Sequence, residues 1–170
     1  NIAPGMNRTF TAQNSPHLIP LKEWHDTVDE AGEQICLDGY TDIQGYDADD
    51  GMVSISRENA RQAGVEKMIH FQRRDVSQLS HSKKYGFLIT NPPYGERIEE
   101  KKNLSALYGT LGERFKALDD WSLYLITAYE HTEDAIGLKA AKNRKIYNGM
   151  MKTYFYQFPG AKPPRRSTQE

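Results

Sequence analysis

An α/β fold whose parallel sheet ends in an antiparallel hairpin follows from three features of this 170-residue sequence. Short apolar runs alternate with amphipathic helical stretches along the whole chain, with no internal repeat and no low-complexity segment, the pattern of one continuous βα alternation. The apolar run over residues 85–89 is halted by Pro92 and Pro93, which cannot continue a ladder. Asn148-Gly149, a preferred two-residue turn, lies between β-rich segments at 145–147 and 151–158.

Taken in order, residues 1–20 hold three prolines and no periodicity and are expected to be a loop or connection. Leu21, Trp24, Val28, Ala31 and Ile35 recur at three- and four-residue steps, which predicts a helix over 21–37 with Trp24 in the core and Gly39 as its stop. A weak strand over 41–46 leads to Asp47-Ala48-Asp49-Asp50-Gly51 and a helix over 52–63, closed by Gly64. Residues 68–72 alternate apolar and polar, a strand that runs out at Asp75-Val76. The run at 85–90 reads as a buried strand. Residues 96–103 are charged and read as a mobile lid or substrate loop. Leu104, Leu107, Tyr108, Leu111, Phe115 and Leu118 mark an amphipathic helix, and 121–127 another buried strand. A short helix over 130–141 precedes the hairpin. The chain divides into one α/β domain, residues 1–158, and a flexible basic tail, 159–170.

With 38% hydrophobic residues the chain has material for one core. No apolar run approaches the roughly 20 residues of a membrane span. One cysteine, Cys36, leaves no internal disulfide, and the five dispersed histidines have no metal-ligand spacing, so neither membrane nor metal is expected and a cytoplasmic location is. The net charge of −1 conceals an asymmetry: residues 137–170 carry eight Lys or Arg against one acidic residue, a balance of +7 that leaves −8 on the rest. A basic end on an acidic body is either a solvated tail or an edge that contacts phosphates, and charge alone leaves both open.

The chemistry is expected at Asn91-Pro92-Pro93-Tyr94. A residue before proline is held extended, so Asn91 is fixed at the carboxyl end of a strand, where ligands of open α/β sheets gather. Asn91 offers an amide oxygen, Pro92 a carbonyl, and Tyr94 a ring for stacking. Two acceptors beside a ring suit a planar group that carries an amino group, either a base or a side-chain amide. For Asp47 the spacing allows two roles, a helix cap or the carboxylate that takes the ribose hydroxyls of an adenosine-containing cofactor.

Asn91-Pro92-Pro93-Tyr94 resembles the motif of S-adenosylmethionine-dependent methyltransferases that act on exocyclic amino groups. Extended by Gly95-Glu96-Arg97, it is similar to the bacterial 23S rRNA guanine-N2 methyltransferase family, whose members usually carry a THUMP domain ahead of the catalytic domain. The run from Gly45 through Asp47 and Ala48 to Gly64 and Val65 matches that family's second motif. The resemblance implies a class I, Rossmann-like methyltransferase sheet and S-adenosylmethionine as cofactor. It also implies methyl transfer to guanine N2 of a flipped base in ribosomal RNA. By the same resemblance Asp47 and Ala48 hold the ribose, Asp75 and Val76 approach the adenine, and Asn91 and Pro92 accept the amino hydrogens of the target. Gly95, Glu96 and Arg97, with the basic residues Lys142, Arg144, Lys145 and Lys152, fall to the RNA side. Adenine-N6 and protein-glutamine methyltransferases share the four-residue motif, and a non-catalytic RNA-binding fragment is a further alternative. One departure is plain: no Gly-x-Gly loop after a strand occurs in these residues. The first strand of the sheet is therefore expected in an N-terminal part of the same protein. The strands at 42–46 and 85–90 should then lie in separate ladders.

Overall fold

The computed structural model describes residues 2–3, 5–6, 8–39, 41–95 and 98–164, without the side chains of residues 98–102 and 148. Glu96, Arg97, Arg165 and Arg166 lie outside the described residues. The chain divides into two compact units, residues 1–45 with 54–71, and 46–53 with 72–170.

In the first unit, helix α1 (Leu21–Glu33) starts where periodicity places it but ends four residues early. Ile35 N–H bonds to Gly32 C=O, a tightened last turn, after which Leu37 is left exposed. The helix buries none of its residues, and Trp24 is only half-buried, against Phe10 with ring centroids 5.6 Å apart. The expectation of a core tryptophan is thereby corrected. Strand β1 (Ile43–Asp47), helix α2 (Asp50–Gln62) and strand β2 (Ile69–Arg73) run from one unit into the other. β1 and β2 pair as a two-stranded sheet.

The second unit holds a four-stranded sheet, in the order β3 (Phe87–Thr90), β4 (Ser122–Thr127), β6 (Met151–Phe158), β5 (Lys142–Asn148). β3 and β4 are parallel, and β6 is antiparallel to both β4 and β5. A parallel pair closed by an antiparallel hairpin is the predicted ending, and β1 and β3 belong to different sheets, as predicted. Helices α3 (Ile98–Lys116) and α4 (Thr132–Ile136) supply one face of the core. Leu104, Tyr108 and Phe115 of α3 and Ile136 of α4 pack on Leu123, Leu125, Tyr156 and Phe158.

Several local expectations need correction. Residues 98–103 are helical, so only 96–97 are left of the supposed mobile lid, and these lie outside the described residues. β3 begins two residues late because Tyr85 sits in the left-handed region at φ 62°. Nor is β3 buried: Phe87 is 67% and Ile89 76% exposed, on the face opposite α3 and α4. α4 has five residues, stopped by Gly137 at φ 70°, where the sequence pattern suggested twelve. The hairpin loop is Gly149-Met150, with Asn148 paired to Met151. Positive φ falls on Gly149 alone (62°), the type II′ arrangement that puts glycine first, which displaces the turn by one residue from Asn148-Gly149. The chain after β6 is not loose at its start, since Gly160 N–H donates to Ser122 Oγ at 2.9 Å.

Candidate active site

Every described residue of the predicted site lies in the second unit. Each residue expected on the cofactor side is at or just beyond the carboxyl end of a strand: Asp47 closes β1, Asp75 follows β2 by two residues, and Asn91 follows β3 directly. The ends of β1 and β2 are tied together, because Arg74 N–H donates to Asp47 C=O at 2.8 Å and Arg73 Nε–H donates to Ala48 C=O at 3.0 Å.

Around β1 three aspartates divide the work. Asp49 Oδ1 accepts from the N–H groups of Gly51 (2.6 Å) and Met52 (3.2 Å), which makes Asp49 the cap of α2. Asp50 is already the first helical residue, favourable to the helix dipole but not the cap. Asp47 Oδ1 accepts from Asp49 N–H at 2.8 Å, so its exposed carboxylate is held at the strand end and leaves the helix to Asp49. Asp75 is fixed in the same manner. Its Oδ1 accepts from Ser77 N–H at 2.8 Å at the start of a 3₁₀ turn that begins with Val76, and the Ser77 side chain first, then this N–H, hold its carboxyl below the ordinary aspartate value.

At the central motif the side chains of Asn91 and Tyr94 meet: the Tyr94 hydroxyl donates to Asn91 Oδ1. This bond sets which way the Asn91 amide faces, and an amide oxygen keeps a second lone pair for another donor. Gly95 follows at φ 80° and is buried, a backbone conformation in which any other side chain would be strained. Pro93 C=O accepts from the Tyr108 hydroxyl at 3.1 Å. Tyr108 is fully buried, and its oxygen lies 2.5 Å from Thr127 Oγ1, which also accepts from Tyr129 N–H at 3.0 Å. With Tyr108 donating to Pro93, Thr127 must donate to Tyr108. The result is a chain of donors from Tyr129 through Thr127 and Tyr108 to the motif backbone. Burial pushes the Tyr108 hydroxyl up to about 12, with the Thr127 contact as a partial offset.

Tyr108 and Thr127 were not singled out by sequence reading. Tyr108 looked like one more apolar residue of the α3 stripe, and Thr127 like the end of β4. The available signal was a hydroxyl on each of two otherwise aliphatic faces, since a buried tyrosine or threonine hydroxyl needs a partner. The predicted basic residues Lys142, Arg144, Lys145 and Lys152 are all exposed on the β5–β6 hairpin. In the first unit, a shallow concavity of about 380 Å³ lined by Arg57, Ala60, Glu66, Ile69, His70 and Phe71 contains none of the predicted site residues.

The family description "RMKL-like, methyltransferase domain" (UPF0020) matches residues 1–157. "Putative RNA methyltransferase YpsC" of Bacillus subtilis (strain 168) is 38% identical over 170 residues, covering 100% of this chain and 44% of that protein. "Ribosomal RNA large subunit methyltransferase K/L" of Shewanella oneidensis is 31% identical over 173 residues, with 99% and 24% covered. Among solved structures, SMU.472 in complex with SAH is 39% identical with a TM-score of 0.87, over 96% of this chain and 43% of that one. A "predicted N6-adenine-specific DNA methylase" from Listeria monocytogenes is 36% identical with a TM-score of 0.83, over 95% and 41%. The chain thus spans less than half the length of these relatives.

Proposed function

Because the chain belongs to the RMKL-like methyltransferase domain family, we propose that it is the part of an S-adenosylmethionine-dependent methyltransferase that presents the target amino group, and that the target is guanine N2 in ribosomal RNA. The observation that carries the reading is the Asn91–Tyr94 pair at the end of β3, braced from beneath by Tyr108 on Pro93. The rRNA assignment draws on relatives named as large subunit rRNA methyltransferases and on the Gly95-Glu96-Arg97 extension. Work on ribosomal RNA would place the enzyme in the cytoplasm.

The residues present suit the cofactor. Two fixed carboxylates at adjacent strand ends, Asp47 and Asp75, are acceptors for a ligand rich in hydroxyl and amino donors. Asp47, with Ala48, would hold the ribose hydroxyls, and Asp75, with Val76, the adenine edge. When bound, S-adenosylmethionine supplies an electrophilic methyl group on a sulfonium. Asn91 Oδ1 and the Pro92 carbonyl accept the two amino hydrogens of the flipped base, which turns the nitrogen lone pair out of conjugation and toward that methyl. Tyr94 covers the ring face. No strong general base is needed, since the alkylated nitrogen loses its proton readily to water. Alignment and fixed dipoles supply the rate gain. Lys142, Arg144, Lys145 and Lys152 draw the RNA backbone to the hairpin, with Arg97 assigned to the RNA side as well.

The experiment is methyl incorporation from labelled cofactor into 23S rRNA by the complete protein, followed by nucleoside mass analysis. N2-methylguanosine is expected. N6-methyladenosine would establish the second reading, which the Listeria relative's name favours, and incorporation into a protein glutamine would exclude both.

A further inference from the structure

The four basic residues of the hairpin do not form one patch. Register puts opposed residues on a common face, and β5 with β6 pairs Lys145 with Tyr154 and Tyr147 with Lys152. Lys142 and Arg144 pair with Gln157 and Phe155 and so belong to the other face. On the first face, ammonium groups and rings alternate as a checkerboard. Lys145 Nζ lies 5.0 Å from the Tyr147 ring, and Lys152 Nζ 5.0 Å from the Tyr154 ring. Tyr147 is 62% exposed, and Met150 at the tip is fully so. Tyr154 is half-buried against the core, so it anchors the row, and the exposed Tyr147 ring between two cations is the part of this face open to a flat ligand.

The position of this face relates it to the motif. Tyr154 is opposite Thr127, the last residue of β4, so residues 151–153 and their partners 146–148 project past the carboxyl edge of the sheet. Thr127 is also the residue that hydrogen-bonds Tyr108, which donates to Pro93. The checkerboard therefore begins where the bracing of the motif ends.

We propose that Lys145, Tyr147, Lys152 and Tyr154 form a platform for unpaired RNA, which takes the nucleotides flanking the base presented to Asn91. One base stacks on the Tyr147 ring while Lys145 and Lys152 neutralise the phosphates on either side, the combination by which single strands are held without sequence readout. The +7 balance of residues 137–170 supplies the charge complementarity. A duplex offers its base faces to no ring, so it is not the occupant. Lys142 and Arg144, on the opposite face, add only general attraction. This inference rests on the reading of RNA as substrate, yet it is tested by binding alone.

The test measures binding of a fluorescent unstructured RNA 12-mer, its duplex and polyglutamate to the complete protein over a range of salt. Tyr147→Ala should weaken single-strand binding by about five- to a hundredfold, as for loss of one stacked base. Lys145→Gln with Lys152→Gln should lower the salt slope by about 1.4, at about 0.7 per phosphate of a single strand. Lys142→Gln with Arg144→Gln should change the slope by less than half of that. All these positions are exposed, and unchanged melting temperatures confirm intact folding. Equal slopes for the two double variants would overturn the platform, as would Tyr147→Ala binding like wild type. Polyglutamate binding that is lost in the same variants would make the face a protein-docking surface instead. A wild type that binds RNA through this face but methylates none would refute the proposed activity and leave the platform standing.

Discussion

The Tyr94 hydroxyl on Asn91 changes what the motif's substitutions should do. On the proposed mechanism Asn91→Ala removes an acceptor that strengthens as charge develops on the nitrogen, and turnover of the complete enzyme should fall about a hundredfold with folding intact. Tyr94→Phe keeps the ring but frees the amide to turn, so the loss should be several-fold only, the scale of one net hydrogen bond. Steady-state kinetics on an rRNA fragment separate the two, and equal losses would mean the hydroxyl itself is indispensable. Asp47→Ala should raise the cofactor dissociation constant roughly ten- to hundredfold, while Asp49→Ala should act on α2 and hardly on affinity. Calorimetry that ranks them in reverse would move the ribose site by two residues. Tyr108 carries a pH signature. Its hydroxyl ionises near 10 in the unfolded chain and at about 12 in the folded one. The group therefore adds stability that is fully present below pH 10 and is lost as pH climbs to about 12. Tyr108→Phe should flatten that alkaline loss in thermal melts followed by circular dichroism; an unchanged slope would assign it to other tyrosines.

At the level of elements, what could be read from the sequence was whatever a local rule decides. Pro92 and Pro93 end a strand in any context, and the aromatic, β-rich run over 151–158 after a turn yields β6 as a strand of eight residues. Where tertiary packing decides, the local pattern and the structure part. The apolar stripe of α1 looked like core but buries nothing, because periodicity reveals an amphipathic face without revealing what covers it. The same limit concealed Tyr108 and Thr127, since no spacing rule links position 108 with 127 or 93. Helix α3 gives the converse case, a glycine that propensity would discourage. A Cβ on Gly112 would stand 2.4 Å from Ile136 O and 2.8 Å from Ile136 Cα, which are main-chain atoms and cannot swing aside. Gly112→Ala should gain about 1 kcal/mol of helix propensity but lose about 1–3 kcal/mol through overpacking against α4. A lower urea midpoint at unchanged slope is the expected result. A higher midpoint would show that α4 can yield.

For the molecule as a whole, the two faces of the four-stranded sheet are treated differently. One is packed beneath α3 and α4. The other carries Phe87, Tyr124 and Phe155 in a row of rings 6.1–6.2 Å apart, with Ile89 beside them, 76% exposed. Among the described residues β3 pairs with β4 alone, and β1 belongs to another sheet. A parallel strand with a free edge and an apolar open face is unusual, because parallel sheets are ordinarily covered on both sides. The chain spans 44% of YpsC and 24% of the K/L enzyme, so those proteins have ample further length from which a strand and a covering helix could come. We expect such a strand against β3 in a protein of the relatives' full length, with Ile89 at the junction. Ile89→Ala is the probe. In the 170-residue chain the residue faces solvent, and the substitution should change stability by no more than about 0.5 kcal/mol. In the longer protein it would open a cavity and should cost about 2–5 kcal/mol. Denaturant titrations of both forms give the difference directly. Equal small effects in both would mean that the face stays open, and that the sheet of this family tolerates an uncovered β3.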